Sequence, residues 1–185
     1  MAKFYSGTGD DGKTGYLGEG RLEKFDLRME TLGSLDELSA ALGVARSWMP
    51  NTPEGETVIS IQRRLYELMA EVAASPENAK KFRHITAEVI SELEVLTDHY
   101  SMSVESPKGF IVPGQTQASA AISLARAIAR RAERRVAELM KQGAISNPTL
   151  LGYLNRLSSF LFVLEIKLIN DKDGGVINMA RVEKK

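Results

Sequence analysis

The sequence has no cysteine among its 185 residues and only two histidines, His84 and His99. The missing thiol excludes disulfides, cysteine-ligated zinc, iron–sulfur clusters and thiol catalysis. The two histidines do not have the spacing of a metal site. We therefore expect no metal ion held by side chains alone and no cysteine nucleophile.

An excess of charge is missing as well, because 24 lysines and arginines balance 24 aspartates and glutamates. Nucleic-acid-binding proteins usually carry a basic excess, so a nucleic-acid partner is not expected. The opening Met-Ala-Lys-Phe-Tyr-Ser does not have the pattern of a signal peptide, and no apolar run is expected to cross a bilayer. These absences predict a soluble, cytoplasmic protein without a membrane partner.

Alternating strand patterns are nearly absent, whereas apolar residues recur at helical spacing in five segments. These segments run over 35–45, 58–72, 85–96, 121–139 and 150–168. Short connections between them favour an up-and-down antiparallel bundle. We predict a single all-α domain over 1–185, with an irregular glycine-rich N-terminal loop. Its parts are expected to be a nucleotide-binding loop region (1–30), a five-helix bundle (31–171) and a C-terminal tail (172–185).

Two helix starts can be predicted from capping patterns. Ser34 and Glu37 have the spacing of a capping box, so the first helix is expected to begin there and to end near Pro50. Asn147 and Pro148 resemble an N-cap followed by proline in the first turn of the fifth helix.

Residues 7–14 read Gly-Thr-Gly-Asp-Asp-Gly-Lys-Thr and satisfy the phosphate-loop pattern G-x-x-x-x-G-K-[ST]. A P-loop NTPase also needs a buried strand before the motif and a helix that starts at Lys13 and Thr14. Here the glycines that follow, Gly15, Gly18 and Gly20, disfavour a helix. We interpret the segment as an ATP-phosphate loop on a different fold. The alternatives are a P-loop hydrolase with a parallel sheet and a glycine-rich N-terminus that matches the pattern by chance.

The fourth helical segment places Arg126, Arg130 and Glu133 on one face, since residues three and four apart are neighbours on a helix. Guanidinium groups match phosphate oxygens, so this face could clamp a polyphosphate; the alternative is a solvated charged face. Asn155 flanks the leucine stripe of the fifth segment, where its amide could contact an adenine or a ribose or could be an ordinary surface amide. Asp36 would lie in the first turn of its helix, where a carboxylate suits the helix dipole.

Five segments in order along almost the whole chain resemble the PduO-type family of ATP:cob(I)alamin adenosyltransferases. The matching segments are Tyr5–Gly12, Lys24–Arg28 with Gly33–Leu38, Phe110–Gly114, Ala125–Arg134 and Tyr153–Ser158. Each of these motifs is short, and the signal lies in their shared order. Among the departures from the family pattern, Ser6 replaces a usual threonine and Ser123 stands where histidine is common.

The resemblance implies a five-helix bundle that assembles as a homotrimer, with ATP and Mg²⁺ bound between subunits. It implies catalytic roles for Lys24, Arg130 and Glu133. A pair formed by Asp36 and Arg126 would bridge subunits, and Phe110 would lie beside the corrin and help to displace its lower axial base. The implied ATP-binding residues are Ser6, Gly7, Thr8, Gly9, Thr14, Gly15, Lys24, Arg28, Arg130, Arg131, Glu133, Arg134 and Asn155.

The implied reaction transfers the 5′-deoxyadenosyl group of ATP to cob(I)alamin, which forms adenosylcobalamin and releases tripolyphosphate. Cobalt(I) is the nucleophile, which is consistent with a protein that lacks cysteine. A cobalamin reductase or an adenosylcobalamin-dependent enzyme could be a partner. The alternative is a non-catalytic helical bundle that senses ATP.

Overall fold

The computed structural model describes residues 4–173 and 176–181. Five long helices account for most of it: α1 (Leu27–Ser47), α2 (Pro53–Ala73), α3 (Ala87–Ser101), α4 (Gln117–Lys141) and α5 (Pro148–Asp173). A short 3-10 helix (Ala79–Phe82) lies between α2 and α3. Two short strands, β1 (Lys13–Gly15) and β2 (Arg21–Glu23), pair antiparallel in the N-terminal region. The predicted all-α five-helix fold is confirmed, and the predicted irregular loop contains this small hairpin; positions 1–3, 174–175 and 182–185 of the predicted loop and tail lie outside the described residues.

Helix α1 begins at Leu27, and the predicted start at Ser34 is wrong. Asp26 is the N-cap residue, and its Oδ1 accepts a hydrogen bond from the Arg28 backbone N–H at 2.7 Å. Ser34 lies inside the helix, where its hydroxyl donates to the Glu30 carbonyl at 3.0 Å. Serine can bond back to the carbonyl four residues earlier, so capping-box spacing alone does not fix a helix start. Asp36 consequently lies in the third turn, away from the positive end of the helix dipole.

The starts of α2 and α5 follow ordinary capping chemistry. The Thr52 hydroxyl accepts from the Gly55 N–H at 3.1 Å, so Pro53 to Gly55 form the first turn of α2. At α5 the Asn147 side-chain oxygen accepts from the Thr149 N–H at 3.2 Å, and Pro148 is the first helical residue. The predicted N-cap of α5 is confirmed.

The helices form a bundle in which α4 packs against both α1 and α5, while α1 also packs on α2 and α5 on α3. The apolar stripes of α4 and α5 face the core, where Val136, Leu154 and Leu161 are fully buried. Full burial of such a side chain contributes roughly 1.5–3 kcal/mol. The bundle therefore provides a rigid frame for the polar side chains on its outer faces.

Helix α5 is long and apolar enough over Pro148–Lys172 to cross a membrane by length and composition, which differs from the expectation above. Leu150, Leu157 and Leu164 on this helix are fully buried against the rest of the bundle. Its hydropathy is accounted for by its position in the protein core.

The N-terminal region is attached where α2 ends. The Leu17 N–H donates to the Ala73 carbonyl at 2.9 Å, and the Ser75 N–H donates to the Leu17 carbonyl at 3.0 Å. Beside this attachment, the buried guanidinium of Arg28 donates to the carbonyls of Val72, Ala74 and Ala144. The region from Phe4 to Lys24 is thereby held at one end of the bundle.

Candidate active site

The glycine-rich segment forms two consecutive turns. The Asp10 N–H donates to the Gly7 carbonyl and the Gly12 N–H donates to the Gly9 carbonyl, both at 3.3 Å. Gly7 and Gly12 have φ angles of 72° and 83°, in the left-handed region that glycine adopts without strain. Such turns bring consecutive backbone N–H groups to one side, which is the geometry of anion-binding nests.

Hydroxyl groups and an ammonium group line the same segment. Ser6 Oγ and Thr8 Oγ1 lie 2.8 Å apart, and both side chains are exposed. The backbone N–H of Lys24 donates to the Gly12 carbonyl at 2.9 Å. A methyl group placed on Gly9 would lie 3.1 Å from Lys24 Nζ, so the ammonium sits directly against the glycine turn. The structure brings these predicted phosphate-binding residues together.

Arg21 holds this segment together, and it was not among the predicted site residues. Its guanidinium donates to Asp11 Oδ2 at 2.7 Å, to the Lys13 carbonyl at 2.8 Å and also to the Thr8 carbonyl. The hydrogen bonds that Asp11 accepts from Arg21 and from the Lys13 N–H lower its pKa to about 2. The register of β1 against β2 sets Arg21 opposite Gly15 and close to the glycine turns, and this register is visible only in the structure.

Lys13 and Thr14 lie in strand β1 and not at a helix start. Lys13 Nζ is 3.4 Å from Glu23 on the paired strand. The residues that the structure describes form one sheet, which is two-stranded and antiparallel. The P-loop hydrolase alternative is therefore wrong, because it requires a parallel sheet that ends in a phosphate loop.

A second polar surface lies where α4 and α5 pack together. Asn155 on α5 donates its amide N–H to Glu133 Oε1 on α4 at 3.0 Å. Arg156 donates to Asn155 Oδ1 at 2.9 Å and to Glu94 Oε1 on α3 at 2.7 Å. This chain of hydrogen bonds fixes the orientation of the Asn155 amide. Arg156 and Glu94 were not among the predicted site residues; Arg156 stands next to Asn155 in the sequence, but the Glu94 contact is visible only in three dimensions.

The arginines of α4 face two ways. Arg130 and Arg134 are exposed, and Arg134 donates to the Arg130 carbonyl at 2.9 Å. Arg131 forms an ion pair with Glu37 on α1. Arg130 thus lies in the turn next to Glu133 and is open to a ligand, whereas Arg131 is directed towards the neighbouring helix.

A cavity of about 420 Å³ opens on the other part of α4 and α5. Phe110, Arg126, Phe162 and Glu165 are among its lining residues, and the Phe110 side chain is 89% exposed. The Arg126 guanidinium lies 5.1 Å from the centre of the Phe162 ring, which is cation–π distance. Within the described part of one chain, Arg126 lies against this ring and not against Asp36, which is exposed on α1.

The segment that carries Phe110 is paired with the C-terminal residues 176–181. The Val112 N–H donates to the Asn178 carbonyl at 2.7 Å, and the Ala180 N–H donates to the Phe110 carbonyl at 2.8 Å. The C-terminal residues therefore form one wall of the region around Phe110. This pairing was not predicted from the sequence, since the intervening helices separate the two segments by more than 60 residues.

One chain does not join the glycine-rich segment to the α4–α5 polar surface. The segment is attached near the C-terminal end of α2, and Arg28 joins that end to Ala144, just beyond the end of α4 at Lys141. Arg130 lies about 16 Å back along α4 from Lys141, given a rise of 1.5 Å per residue. No hydrogen bond or ion pair connects the two surfaces within residues 4–173 and 176–181. Across the same residues, no group of three histidine, cysteine, aspartate or glutamate side chains could hold a metal ion.

Comparisons with known proteins show which proteins this chain resembles. A corrinoid adenosyltransferase from Bacillus subtilis (strain 168) is 38% identical over 93% of this chain and 89% of its own length. The corrinoid adenosyltransferase PduO of Salmonella typhimurium is 36% identical over 96% of this chain, which spans about half (52%) of that protein. The structure of a variant PduO-type ATP:corrinoid adenosyltransferase from Lactobacillus reuteri, complexed with cobalamin and ATP, superposes with a TM-score of 0.89 at 30% identity over 97% of this chain and 100% of that one.

The family described as cobalamin adenosyltransferase matches residues 4–168. This match contains the glycine-rich segment, the segment of Phe110 and the α4–α5 polar surface. The chain belongs to the cobalamin adenosyltransferase family.

Proposed function

We propose that this protein transfers the 5′-deoxyadenosyl group of ATP to cob(I)alamin, forming adenosylcobalamin and releasing tripolyphosphate. Family membership makes it an ATP:corrinoid adenosyltransferase. The observation that carries the assignment of its site is the α4–α5 surface, where exposed Arg130 neighbours a Glu133–Asn155 hydrogen bond of 3.0 Å. A basic group for the phosphates and an oriented amide for the nucleoside are what ATP requires.

ATP is proposed to bind between subunits of a homotrimer. The glycine-rich segment and the α4–α5 surface each offer part of an ATP site, but they are separated within one chain. A second subunit that brings its glycine-rich segment to this surface would complete the site. Asp36 on α1 and Arg126 on α4 are proposed to bridge the subunits, since neither of them pairs with the other inside one chain.

The protein then has to position ATP and stabilise the negative charge that develops on the leaving tripolyphosphate. As cobalt attacks the ribose C5′, the bond from C5′ to the α-phosphate oxygen breaks and both electrons of that bond stay with tripolyphosphate. Lys24 and Arg130 compensate this charge, with the backbone N–H groups of Gly7 and Gly9. Glu133 orients Asn155, and Asn155 holds the nucleoside above the corrin.

The remaining predicted contacts take supporting roles in this proposal. Ser6, Thr8 and Thr14 offer hydroxyls to the phosphates, Gly15 offers its backbone, and Arg131 and Arg134 add positive charge along α4. Arg28 acts indirectly, because its buried guanidinium is occupied by backbone carbonyls and stabilises the end of α2, to which the segment is attached through Leu17. Mg²⁺ would enter with ATP: the exposed oxygens of Ser6, Thr8 and Asp10 are hard donors that suit it, and it would neutralise phosphate charge there.

The corrinoid is proposed to lie against Phe110. An exposed aromatic ring next to a cavity offers a flat apolar contact to the corrin and can take the space of the lower axial base of cobalt. Loss of that ligand eases the reduction of cobalt(II), for which a cobalamin reductase is a proposed partner. An adenosylcobalamin-dependent enzyme is the proposed acceptor of the product, and a cytoplasmic location would suit both partners.

A spectral assay tests the activity. Incubation of the purified protein with ATP, Mg²⁺ and chemically reduced cobalamin should produce the adenosyl-cobalt chromophore and equimolar tripolyphosphate. Release of orthophosphate or pyrophosphate instead would contradict the leaving group. ATP binding without a new cobalt–carbon chromophore would contradict the transfer and favour the ATP-sensing alternative.

A further inference from the structure

The cavity beside Phe110 contains a carboxyl group that the proposed reaction does not use. Glu165 lies on α5 one turn after Phe162, and both residues line the cavity of about 420 Å³. The side chain of Glu165 is 1% exposed. Its Oε1 atom has no hydrogen-bond partner among the described residues.

Burial of a carboxyl oxygen without a partner is costly, and such groups in folded proteins are rare. Burial raises the pKa of Glu165, and the Ser123 hydroxyl and the Arg126 charge oppose this shift only in part. The chain therefore keeps a polar atom in an unfavourable place. A ligand that donates a hydrogen bond there would remove this cost.

The other lining residues limit what such a ligand can be. Phe110, Phe162 and Pro113 give the cavity an apolar wall, while Lys108 and Arg126 are its basic residues. If Arg126 turns to Asp36 of a neighbouring subunit, as proposed above, Glu165 loses its nearest compensating charge. The cavity then suits a molecule that has a broad apolar face and neutral N–H donors at its edge.

A corrinoid has this chemistry, since its macrocycle is apolar and its periphery carries primary carboxamides. Given the proposed function, which places the corrinoid against Phe110, we propose that Glu165 is a specificity-determining residue of the corrinoid subsite. Its carboxyl group accepts a hydrogen bond from a peripheral carboxamide N–H and disfavours a corrinoid that carries a carboxylate at that position.

Cobalamin monocarboxylates, in which one peripheral carboxamide has been hydrolysed, are the probes for this proposal. Dissociation constants come from spectral titration of the whole protein with ATP present, and KM values come from the transfer assay. Wild type should bind at least one isomer about 10- to 100-fold more weakly than cobalamin, the range expected when a buried acceptor loses its hydrogen-bond donor. Glu165→Gln should reduce this ratio to within about threefold and leave the KM for ATP unchanged, because a neutral amide offers a donor to the carboxylate.

Glu71→Gln is the matched control, since Glu71 is also buried (2% exposed) but pairs with Arg83 at 3.2 Å and with Asn147 at 3.0 Å, outside the cavity. This variant should lower stability and leave the ratio of the two dissociation constants as in wild type.

A wild-type protein that binds every isomer within about threefold of cobalamin would overturn the proposal, and this measurement needs no variant. An active Glu165→Gln protein with the wild-type ratio would overturn it as well. Absence of both corrinoid binding and product in wild type would instead overturn the proposed function, and the role of Glu165 with it.

Discussion

One arginine in the N-terminal segment and one in the helical bundle each donate to several backbone carbonyls, but the surroundings of the two arginines differ. Arg21 joins Thr8, Asp11 and Lys13 on the surface, where its side chain is 37% exposed. Arg28 joins the C-terminal end of α2 to the connection before α5, and it is 7% exposed. Solvent weakens the first set of contacts, whereas burial makes the loss of the second set costly.

This difference separates two tasks that an ATP site must combine. The bundle holds Glu133, Asn155 and Arg130 on packed helices, so their positions are fixed before ATP arrives. The glycine-rich segment is held by exposed polar contacts, so it can change its hydrogen bonds around the phosphates at little cost in stability. Residues of the bundle should therefore affect both the rate and the global stability, whereas the contacts that hold the segment together should have only local effects on stability.

The largest effect is expected at Arg130. In the proposed mechanism its guanidinium stabilises charge that develops on tripolyphosphate, and the loss of one such donor costs about 3–4 kcal/mol in the transition state. Arg130→Ala should lower kcat by about 100- to 1000-fold in the cob(I)alamin assay. Arg135→Ala is the control on the same helix, because Arg135 pairs with Glu138 at 3.0 Å; its kcat should stay within about twofold. Near wild-type turnover of Arg130→Ala would remove Arg130 from the site.

The next effect compares the two arginines directly. Arg28→Met leaves three backbone carbonyls without their donor and should lower the free energy of unfolding by about 2–4 kcal/mol. Arg21→Met breaks exposed contacts, which solvent screens, and should lower the free energy of unfolding much less. Urea unfolding at one fixed protein concentration measures both, since subunit assembly would make stability depend on concentration. Equal losses in the two variants would show that the segment is as firmly held as the bundle.

The bundle could be predicted because its apolar residues recur at helical spacing along the sequence. Leu154, Leu161 and Val136 recur at helical spacing, and the structure buries all three. The start of α1 could not be predicted, because Ser34 with Glu37 and Asp26 before Leu27 are both acceptable N-terminal patterns and only packing selects between them. Because α1 begins at Leu27, earlier than predicted, Asp36 lies in the interior of the helix and not at its start.

The candidate site could be predicted where one motif carries its own chemistry. The Gly9–Lys24 contact and the proximity of Glu133 to Asn155 fall within segments that the resemblance identified. Glu165 and Arg21 could not be found in this way, since a single charged residue gives no signal until its partners in space are known. The separation of the two half-sites also required coordinates, because helix packing sets that distance.

The smallest effect, and the most local, concerns Asp11. The hydrogen bonds from Arg21 and from the Lys13 N–H stabilise its carboxylate and lower its pKa to about 2, from an ordinary value of 3.8. Because the folded-state pKa is lowered, the contribution of this contact is complete above about pH 4 and is lost as the pH falls through 2. In an NMR titration the Lys13 amide should report a midpoint near 2 in wild type. Arg21→Met should move that midpoint towards 3.8, while amides in the core of α4 stay unchanged over the same range. A wild-type midpoint that is already near 3.8 would mean that Arg21 does not hold the segment in solution, and the glycine turns would then owe their conformation to the backbone alone.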